Sequence, residues 1–343
     1  MEKRNISTDL LMNDMFDETP VVSEVKESNN PQPAINVDSL TVSEENVEPV
    51  VEVTVEDVNT ENNTENNTEQ PVQPKKKDRG DGSIDVVRFK NLTQIFNKGE
   101  ENEYKLFQNF SLAIPDIPDT FQSIGVMGAS GCGKSRLMRV LCKLDTVQEG
   151  SVEVYGKTEY GNIPCVFQTY SNYEWMTVIE NVKLPMIVRG IDKESADKKA
   201  MELLELVGMI DKANNYPAKL SGGQQQRISI ARALACDSQI IVFDEATSAL
   251  DVKMKREIDN TVLNVLYNYE KDPTIITISH NIEEVLYTCN HVIVLKPNPC
   301  EVYKTFDIHY PGEEERQRGE WIFETPEYAE YSRMLTKAMD EIC

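Results

Sequence analysis

The sequence predicts an α/β domain built on a parallel sheet and preceded by a disordered acidic tail. An apolar run at residues 121–127 is followed by a glycine-rich loop and a helical pattern of apolar residues. Two further predicted strands, 240–243 and 273–280, end in or lead directly to polar side chains at the expected edge of a parallel sheet. The first 74 residues, by contrast, contain Phe16 as their only aromatic residue. The folded α/β part is therefore expected to begin well inside the chain.

Acidic residues dominate the tail. Residues 1–74 carry 17 acidic side chains against 3 basic ones, a net charge of −14 out of −23 for the whole chain. Such a segment cannot bury enough apolar surface to offset the entropy of ordering, so residues 1–83 are predicted to be a disordered tail and linker. The remaining boundaries are 84–300 for a folded domain and 301–343 for a C-terminal extension. The acidic balance argues against nucleic acid as a partner.

Cysteine usage and hydropathy indicate where the chain works. The seven cysteines show no C-x-x-C spacing, which favours free thiols in a reducing cytosol. No apolar run approaches the roughly 18 residues needed to cross a bilayer. If the chain works at a membrane, we therefore expect partner proteins to hold it there.

Residues 128–135, GASGCGKS, match the pattern G-x-x-x-x-G-K-S between a predicted strand and a predicted helix. The glycines let backbone N–H groups close around phosphate oxygens, and the helix directs its positive end toward them. Lys134 adds a point charge, and Ser135 can offer its hydroxyl to Mg²⁺. The predicted nucleotide-phosphate site consists of Gly128, Ala129, Ser130, Gly131, Cys132, Gly133, Lys134 and Ser135.

Two helical patterns and one cysteine carry further expectations. The helix after the phosphate loop is predicted to present Leu137, Leu141 and Leu144 on one side. Residues 192–220 are predicted to form an amphipathic helix. Cys132, inside the loop, is expected to react with alkylating reagents and to be protected by bound nucleotide.

Polar residues follow the predicted strands at one edge of the sheet. Asp244 and Glu245 come directly after the run 240–243, where Asp244 can join a magnesium shell and Glu245 can polarise a water. His280 ends the next strand and can reach a terminal phosphate. Gln168 is delivered by another strand end. The alternatives are that the Asp-Glu pair caps a helix and that the histidine is a structural hydrogen-bonding residue.

The stretch LSGGQQQR, residues 220–227, predicts a second helix start suited to an anion. Ser221 is a good N-cap, and the helix after it places Ile228, Ala231 and Leu234 inward. Because the chain already has one phosphate site, this one serves either a second phosphate or another molecule's. The economical interpretation is that it completes the site of a second copy, so that two chains sandwich two nucleotides with C₂ symmetry. The residues concerned are Ser221, Gly222 and Gly223.

Together these motifs resemble the nucleotide-binding subunit of an ATP-binding cassette (ABC) transporter, over residues 86 to about 300. The matching motifs, in order, are GASGCGKS (Walker A), Gln168 (Q-loop), LSGGQQQR (signature), IIVFDEA (Walker B), SALD (D-loop) and His280 (switch histidine). Phe96 falls where the family places an aromatic side chain on adenine. The resemblance implies a P-loop NTPase (RecA-like) core, an antiparallel β subdomain and an inserted α-helical subdomain at about 169–235.

The resemblance also implies a mechanism. ATP and Mg²⁺ are the expected cofactors, with Ser135, Gln168 and Asp244 around the metal. ATP closes a homodimer or pseudo-dimer, Glu245 with His280 orients the attacking water, and hydrolysis reopens the dimer. Gln168 and the segment after it pass this motion to a membrane partner.

Within the family, the segments EWMTVIENVKLP and RGEWIFETPEYAEYSRML most resemble importers of the nitrate, sulfonate and taurine type. This likeness implies transmembrane permease subunits and a solute-binding protein as partners, and a peripheral location on the cytoplasmic face of the cell membrane. The alternative is a soluble ABC-type ATPase that acts as a clamp or switch on a non-membrane partner recruited by the tail. A single phosphate loop and a single signature favour the importer.

Overall fold

The computed structural model describes residues 85–116, 121–154, 163–313 and 315–342. The predicted acidic tail and linker, 1–83, lies outside the described residues. The described strands are β1 (Asp85–Phe96), β2 (Tyr104–Pro115), β3 (Ser123–Gly128), β4 (Glu149–Val154), β5 (Cys165–Phe167), β6 (Ile240–Asp244), β7 (Thr274–Ile278), β8 (His291–Lys296) and β9 (Glu301–Asp307). The described α-helices are α1 (Lys134–Leu141), α2 (Val178–Val188), α3 (Lys193–Leu206), α4 (Gly222–Ala235), α5 (Val252–Asn268), α6 (Ile282–Thr288) and α7 (Pro326–Ile342).

The strands form two sheets. The smaller one is antiparallel, in the order β2-β1-β4. The larger one has the order β5-β6-β7-β3-β8-β9, and its neighbouring strands are parallel except for β9. The predicted α/β fold with a parallel sheet is therefore confirmed, together with the antiparallel β subdomain that the family resemblance implied.

The central strands of the large sheet are buried on both faces, which explains their uninterrupted apolar sequences. Alternate residues of β6 face opposite sides: Ile240 and Val242 join the apolar cluster that contains β1, β2 and α1. Ile241 and Phe243 join the cluster that contains α2, α3 and α4. The sheet thus separates two apolar clusters and holds its strands rigidly between them.

Strand register brings the predicted functional residues to one edge. Phe167 of β5 lies opposite Asp244 of β6, and Asp244 lies opposite Ile278 of β7. Ile278 in turn lies opposite Val126 of β3. Because these four strands are parallel, the residues that follow each of them emerge at the same edge.

Two helical expectations need correction. Leu144 was expected on the apolar side of α1, but the helix ends at Leu141 and Leu144 is 59% exposed. The helix predicted for 192–220 ends at Leu206, because the chain turns at Gly208 with a positive φ of 67°. Two short 3-10 turns, Ile210–Lys212 and Pro217–Lys219, lie in the rest of that range. In sequence, helices α2, α3 and α4 all come between β5 and β6.

The described part of the predicted C-terminal extension, 301–313 and 315–342, packs against the preceding strands and helices. Strand β9 pairs with β8 at the edge of the large sheet. Helix α7 packs through Leu335, Ala338 and Ile342 against the cluster that contains α6 and β8. Arg318, whose side chain is fully buried, donates hydrogen bonds to the carbonyl oxygens of Cys289 (2.7 Å) and Leu286 (3.5 Å). Among the described residues, no helix has the length and apolar character required of a membrane span.

Candidate nucleotide and hydrolysis site

The phosphate loop, residues 128–135, connects β3 to α1. Gly128 has a φ of +154°, and a Cβ atom there would lie 2.4 Å from the carbonyl oxygen of Leu295 on β8, so only glycine fits. Helix α1 begins at Lys134, after Gly133 in the left-handed region. The Lys134 ammonium donates hydrogen bonds to the carbonyl oxygens of Gly128 (2.7 Å) and Ala129 (3.0 Å), which folds the loop around the amine.

Cys132 is packed into this loop and is 1% exposed. Its Sγ lies 3.9 Å from the Lys134 Nζ. The predicted alkylation of Cys132 therefore requires the loop to open, since a reagent cannot reach the sulfur in this conformation.

Ser135 and Asp244 meet at the carboxyl edge of the sheet. The Ser135 hydroxyl donates to Asp244 Oδ1 at 2.7 Å, although 109 residues separate the two in sequence. Burial raises the pKa of the Asp244 carboxyl, and the hydrogen bond from Ser135 opposes this rise. A cation beside Asp244 would lower this pKa again. The hydroxyl and carboxylate oxygens are the donor type that Mg²⁺ prefers, so the two residues fit the predicted metal site.

Glu245 and His280 follow neighbouring strands and face each other. Glu245 Oε1 lies 3.7 Å from His280 Nδ1, and both side chains reach solvent. The Glu245 N–H still bonds to the Ile278 carbonyl at 3.1 Å, after which the backbone leaves the sheet with a φ of +49° at Glu245. A carboxylate and an imidazole at this separation can together contact one small polar group, such as a water.

Gln168 is exposed just after β5, and the segment that follows it is tied to α4. The Gln226 side chain donates to the Phe167 carbonyl (3.2 Å). The Asn172 side chain donates to the carbonyl of Gln225 (2.8 Å), and Arg232 Nη1 donates to the Ser171 carbonyl at 2.6 Å. Movement of this segment would therefore be transmitted to α4.

The signature tip, residues 221–223, forms the N-terminus of α4. Ser221 is the N-cap, as predicted: its side chain accepts from the Gln224 N–H and the Gln224 side chain accepts from the Ser221 N–H. A Cβ at Gly222 would overlap the Tyr170 hydroxyl at 2.3 Å, whereas one at Gly223 would make an ordinary contact with Met254 at 3.4 Å. The signature tip thus borders the Gln168 segment and the chain after β6. The predicted inward residues Ile228, Ala231 and Leu234 are all buried.

Phe96 lies at the end of β1 with two neighbours that the sequence did not single out. Its ring stacks on Tyr104 with a centroid distance of 6.3 Å and an interplanar angle of 19°. The Arg136 guanidinium lies 5.4 Å from the Phe96 centroid and is held by Asp145 at 3.2 Å. The group forms an exposed aromatic surface close to the start of α1.

The family profile described as "ABC transporter" matches residues 116–248. The nitrate import ATP-binding protein of Synechocystis is 32% identical over 258 residues, covering 74% of this chain and 94% of that protein. An uncharacterized ABC transporter ATP-binding protein of Methanocaldococcus jannaschii is 33% identical, covering 78% of this chain and 96% of the other. The glutamate transport ATP-binding protein of Corynebacterium glutamicum is 40% identical, covering 52% and 80% respectively.

Solved structures give the same result. A dimeric bacterial ABC transporter cassette superposes with a TM-score of 0.53 at 29% identity, covering 65% of this chain and 99% of that one. A dimeric ATP-binding cassette in a post-hydrolysis state, bound to ADP and phosphate, superposes with a TM-score of 0.52 at the same identity and coverage. The chain therefore belongs to the ATP-binding subunits of ABC transporters, and it is an ATPase.

Proposed function

We propose that this protein is the ATP-hydrolysing subunit of an importer, and that ATP drives two copies to close on each other. The observation that carries the proposal is the convergence of four parallel strand ends, which gathers the phosphate loop, Asp244, Glu245, His280 and Gln168 at one edge. The relatives named for nitrate and glutamate transport support an import role. The site of action is then the cytoplasmic face of a membrane.

In this proposal the phosphate loop binds the triphosphate and Phe96 stacks on the adenine. Mg²⁺, held by Ser135 and Asp244 with Gln168 close by, would neutralise the phosphate oxygens when bound. Glu245 accepts a proton from the attacking water, and His280 orients the terminal phosphate or the water. The short Ser135–Asp244 contact supports the metal assignment, and the 3.7 Å approach of Glu245 to His280 supports the paired role.

The signature tip is proposed to complete the ATP site of a second copy. Ser221 is exposed, and its side chain and N–H are used only for capping contacts with Gln224. In this proposal the Ser221 hydroxyl and N–H exchange their contacts with Gln224 for a terminal phosphate of the other copy, and the N–H groups of Gly222 and Gly223 at the helix N-terminus bind the same phosphate. The dimeric state of both similar cassettes supports this arrangement.

Permease subunits are proposed to dock beside Gln168. Trp175 is 72% exposed, and its ring centroid lies 5.3 Å from that of Tyr173. The two rings form an aromatic surface just before α2 begins. On α2, Val188 is 78% exposed. Because Asn172 and Arg232 tie this segment to α4, pressure from a docked partner would move the signature tip.

Membrane fractionation of the full chain, expressed in its own cell, tests this proposal. Wild-type protein should sediment with the membrane, and Trp175→Ala should shift it to the soluble fraction while purified protein keeps its ATPase activity within roughly two-fold. Val302→Ala, at an exposed position on β9, is the matched control and should behave as wild type. Wild-type protein found only in the soluble fraction would contradict the importer role and favour a clamp on a non-membrane partner.

A further inference from the structure

A buried glutamate links the two loops that carry Glu245 and His280. Glu284, in α6, is 8% exposed. It accepts hydrogen bonds from the hydroxyl of Thr247 at 2.9 Å and from the hydroxyl of Ser279 at 2.6 Å. The two donors belong to different loops, one after β6 and the other after β7.

We propose that Glu284 is a positioning residue for hydrolysis, which holds Glu245 and His280 at their working separation. The proposal rests on the roles given to those two side chains under the proposed function. Thr247 is two residues after Glu245, and Ser279 directly precedes His280. One carboxylate that binds both donors therefore fixes the distance between the two loops.

The link through Glu284 lies beyond the last backbone hydrogen bond that joins the two loops. The ladder between β6 and β7 ends with the Glu245 N–H bonded to the Ile278 carbonyl. Beyond this point Glu245 adopts a positive φ, and the chain turns away from the sheet. Thr247 and Ser279, bonded to the two oxygens of Glu284, are the next connection between the loops.

The chemistry of a carboxylate suits this task. Burial raises the pKa of Glu284, and the hydrogen bonds from Ser279 and Thr247 oppose the rise, as does the charge of Lys255. A carboxylate offers two acceptor oxygens at a fixed spacing, whereas a glutamine offers one acceptor and a donor amide. Glu245, His280, Lys255 and Glu284 line one small pocket, so movement of this link reaches the reacting groups directly.

Kinetics of single variants in the full chain test the proposal. Glu284→Ala should lower kcat by roughly ten- to a hundred-fold because misplaced groups lose efficiency steeply, while the Kd for ATP stays within roughly two-fold. Thr247→Val and Ser279→Ala each remove one hydroxyl at nearly constant volume and should lower kcat several-fold. Adding Thr247→Val to Glu284→Ala should produce no further loss, because both act through the same link.

Glu283→Gln is the matched control. Glu283 is the neighbouring residue on α6, is exposed and pairs with Arg256 rather than with either loop. This variant should keep the wild-type kcat. Melting temperatures of all variants, taken alongside, separate local misplacement from unfolding, and the two hydroxyl variants keep the test informative if Glu284→Ala does not fold.

Glu245→Gln distinguishes failure of this inference from failure of the proposed function. If Glu245→Gln abolishes hydrolysis but the Glu284, Thr247 and Ser279 variants keep the wild-type kcat, the positioning role is wrong and the hydrolytic site stands. Equal losses of kcat and ATP affinity in Glu284→Ala would indicate a general structural role and would also overturn the inference. If Glu245→Gln hydrolyses ATP normally, both fall together.

Discussion

The phosphate loop and the signature tip are both glycine-containing helix starts, yet they are built differently. In the phosphate loop, Gly128 packs against the backbone of β8, the Lys134 amine is bonded to loop carbonyls and Ser135 is bonded to Asp244. In the signature tip, Ser221 is exposed, and its side chain and N–H are bonded within its own capping box. The phosphate loop is held by bonds to other parts of its own chain, whereas the Ser221 side chain is bonded within its own helix start.

Glycine meets different packing constraints at the two helix starts. At Gly128 the missing side chain is required by close packing and by a positive φ. At Gly223 the nearest side-chain atom to an added Cβ is 3.4 Å away, an ordinary contact. Gly223 is buried but not crowded, so a substitution there should cause less strain than one at Gly128.

The largest expected effect distinguishes loss of ATP hydrolysis from loss of the dimer. Glu245→Gln should lower the hydrolysis rate by roughly a hundred-fold or more, because it removes the proposed general base, and it should accumulate an ATP-bound dimer. Ser221→Arg should also abolish hydrolysis, because neither ATP site of the dimer can then be completed by a signature tip. Light scattering after size exclusion with saturating ATP measures how much of each variant is dimeric. A Glu245→Gln protein that stays monomeric with saturating ATP would contradict this expectation, since the phosphate loop would then bind ATP without a second copy.

The next effect concerns stability. Gly128→Ala should lower the free energy of unfolding by roughly 3 kcal/mol or more, because the new methyl group meets a backbone carbonyl and the φ is strained. Gly223→Ala should change it by less than about 1 kcal/mol, since alanine is favoured in a helix. Urea denaturation of both variants checks this pair. Equal losses would show that the signature tip, too, is held by packing inside the chain.

A pH series tests a buried carboxyl outside both helix starts. Burial, with the nearby charge of Glu284, raises the pKa of Asp259 on α5 to about 8, whereas an unfolded aspartate has a pKa of about 3.9. The folded chain thus holds an extra proton between these values, so the free energy of unfolding falls as pH rises through this window.

Asp259→Asn should remove this loss. The variant should gain stability relative to wild type steadily from about pH 4 to pH 8, by on the order of 1–3 kcal/mol at the upper end, and the gain should then level off. Denaturation at pH 5, 7 and 8.5 measures it. The control is Asp340→Asn, at an exposed carboxyl on α7, which should show no such trend. A constant difference across the series would contradict the raised pKa.

The smallest expected effect concerns binding of the adenine ring of ATP. Phe96→Leu should weaken ATP binding by roughly three- to ten-fold, since stacking contributes about 0.5–1.5 kcal/mol, and should leave kcat unchanged at saturating ATP. Titration of a fluorescent ATP analogue measures the affinity. Tyr303→Leu, at an exposed aromatic on β9, is the control. Unchanged affinity in Phe96→Leu would place the adenine elsewhere.

Local patterns were enough to predict the parts that depend on a few consecutive residues. The strand, loop and helix around residues 128–135 and the N-cap at Ser221 follow from glycine placement, side-chain capping and apolar periodicity. The polar residues after β6 and β7 also follow, because parallel strands end at one edge. These features need no knowledge of distant contacts.

Other features depend on tertiary packing and were missed. The bonds from Thr247 and Ser279 to Glu284 join residues that are up to 37 positions apart, and no local pattern distinguishes Glu284 from its neighbour Glu283. The burial of Cys132 results from packing beneath Gly128. The early end of α1 places Leu144 in solvent despite its helical spacing.

Mixing two inactive variants tests the central claim, that each molecule supplies half of the other's ATP site. Ser221→Arg leaves the phosphate loop intact, and Lys134→Ala leaves the signature tip intact. A mixed dimer of the two therefore contains one complete site, and an equimolar mixture should recover roughly a quarter of wild-type ATPase activity. Activity no higher than that of either variant alone, with mixed dimers present, would contradict the account.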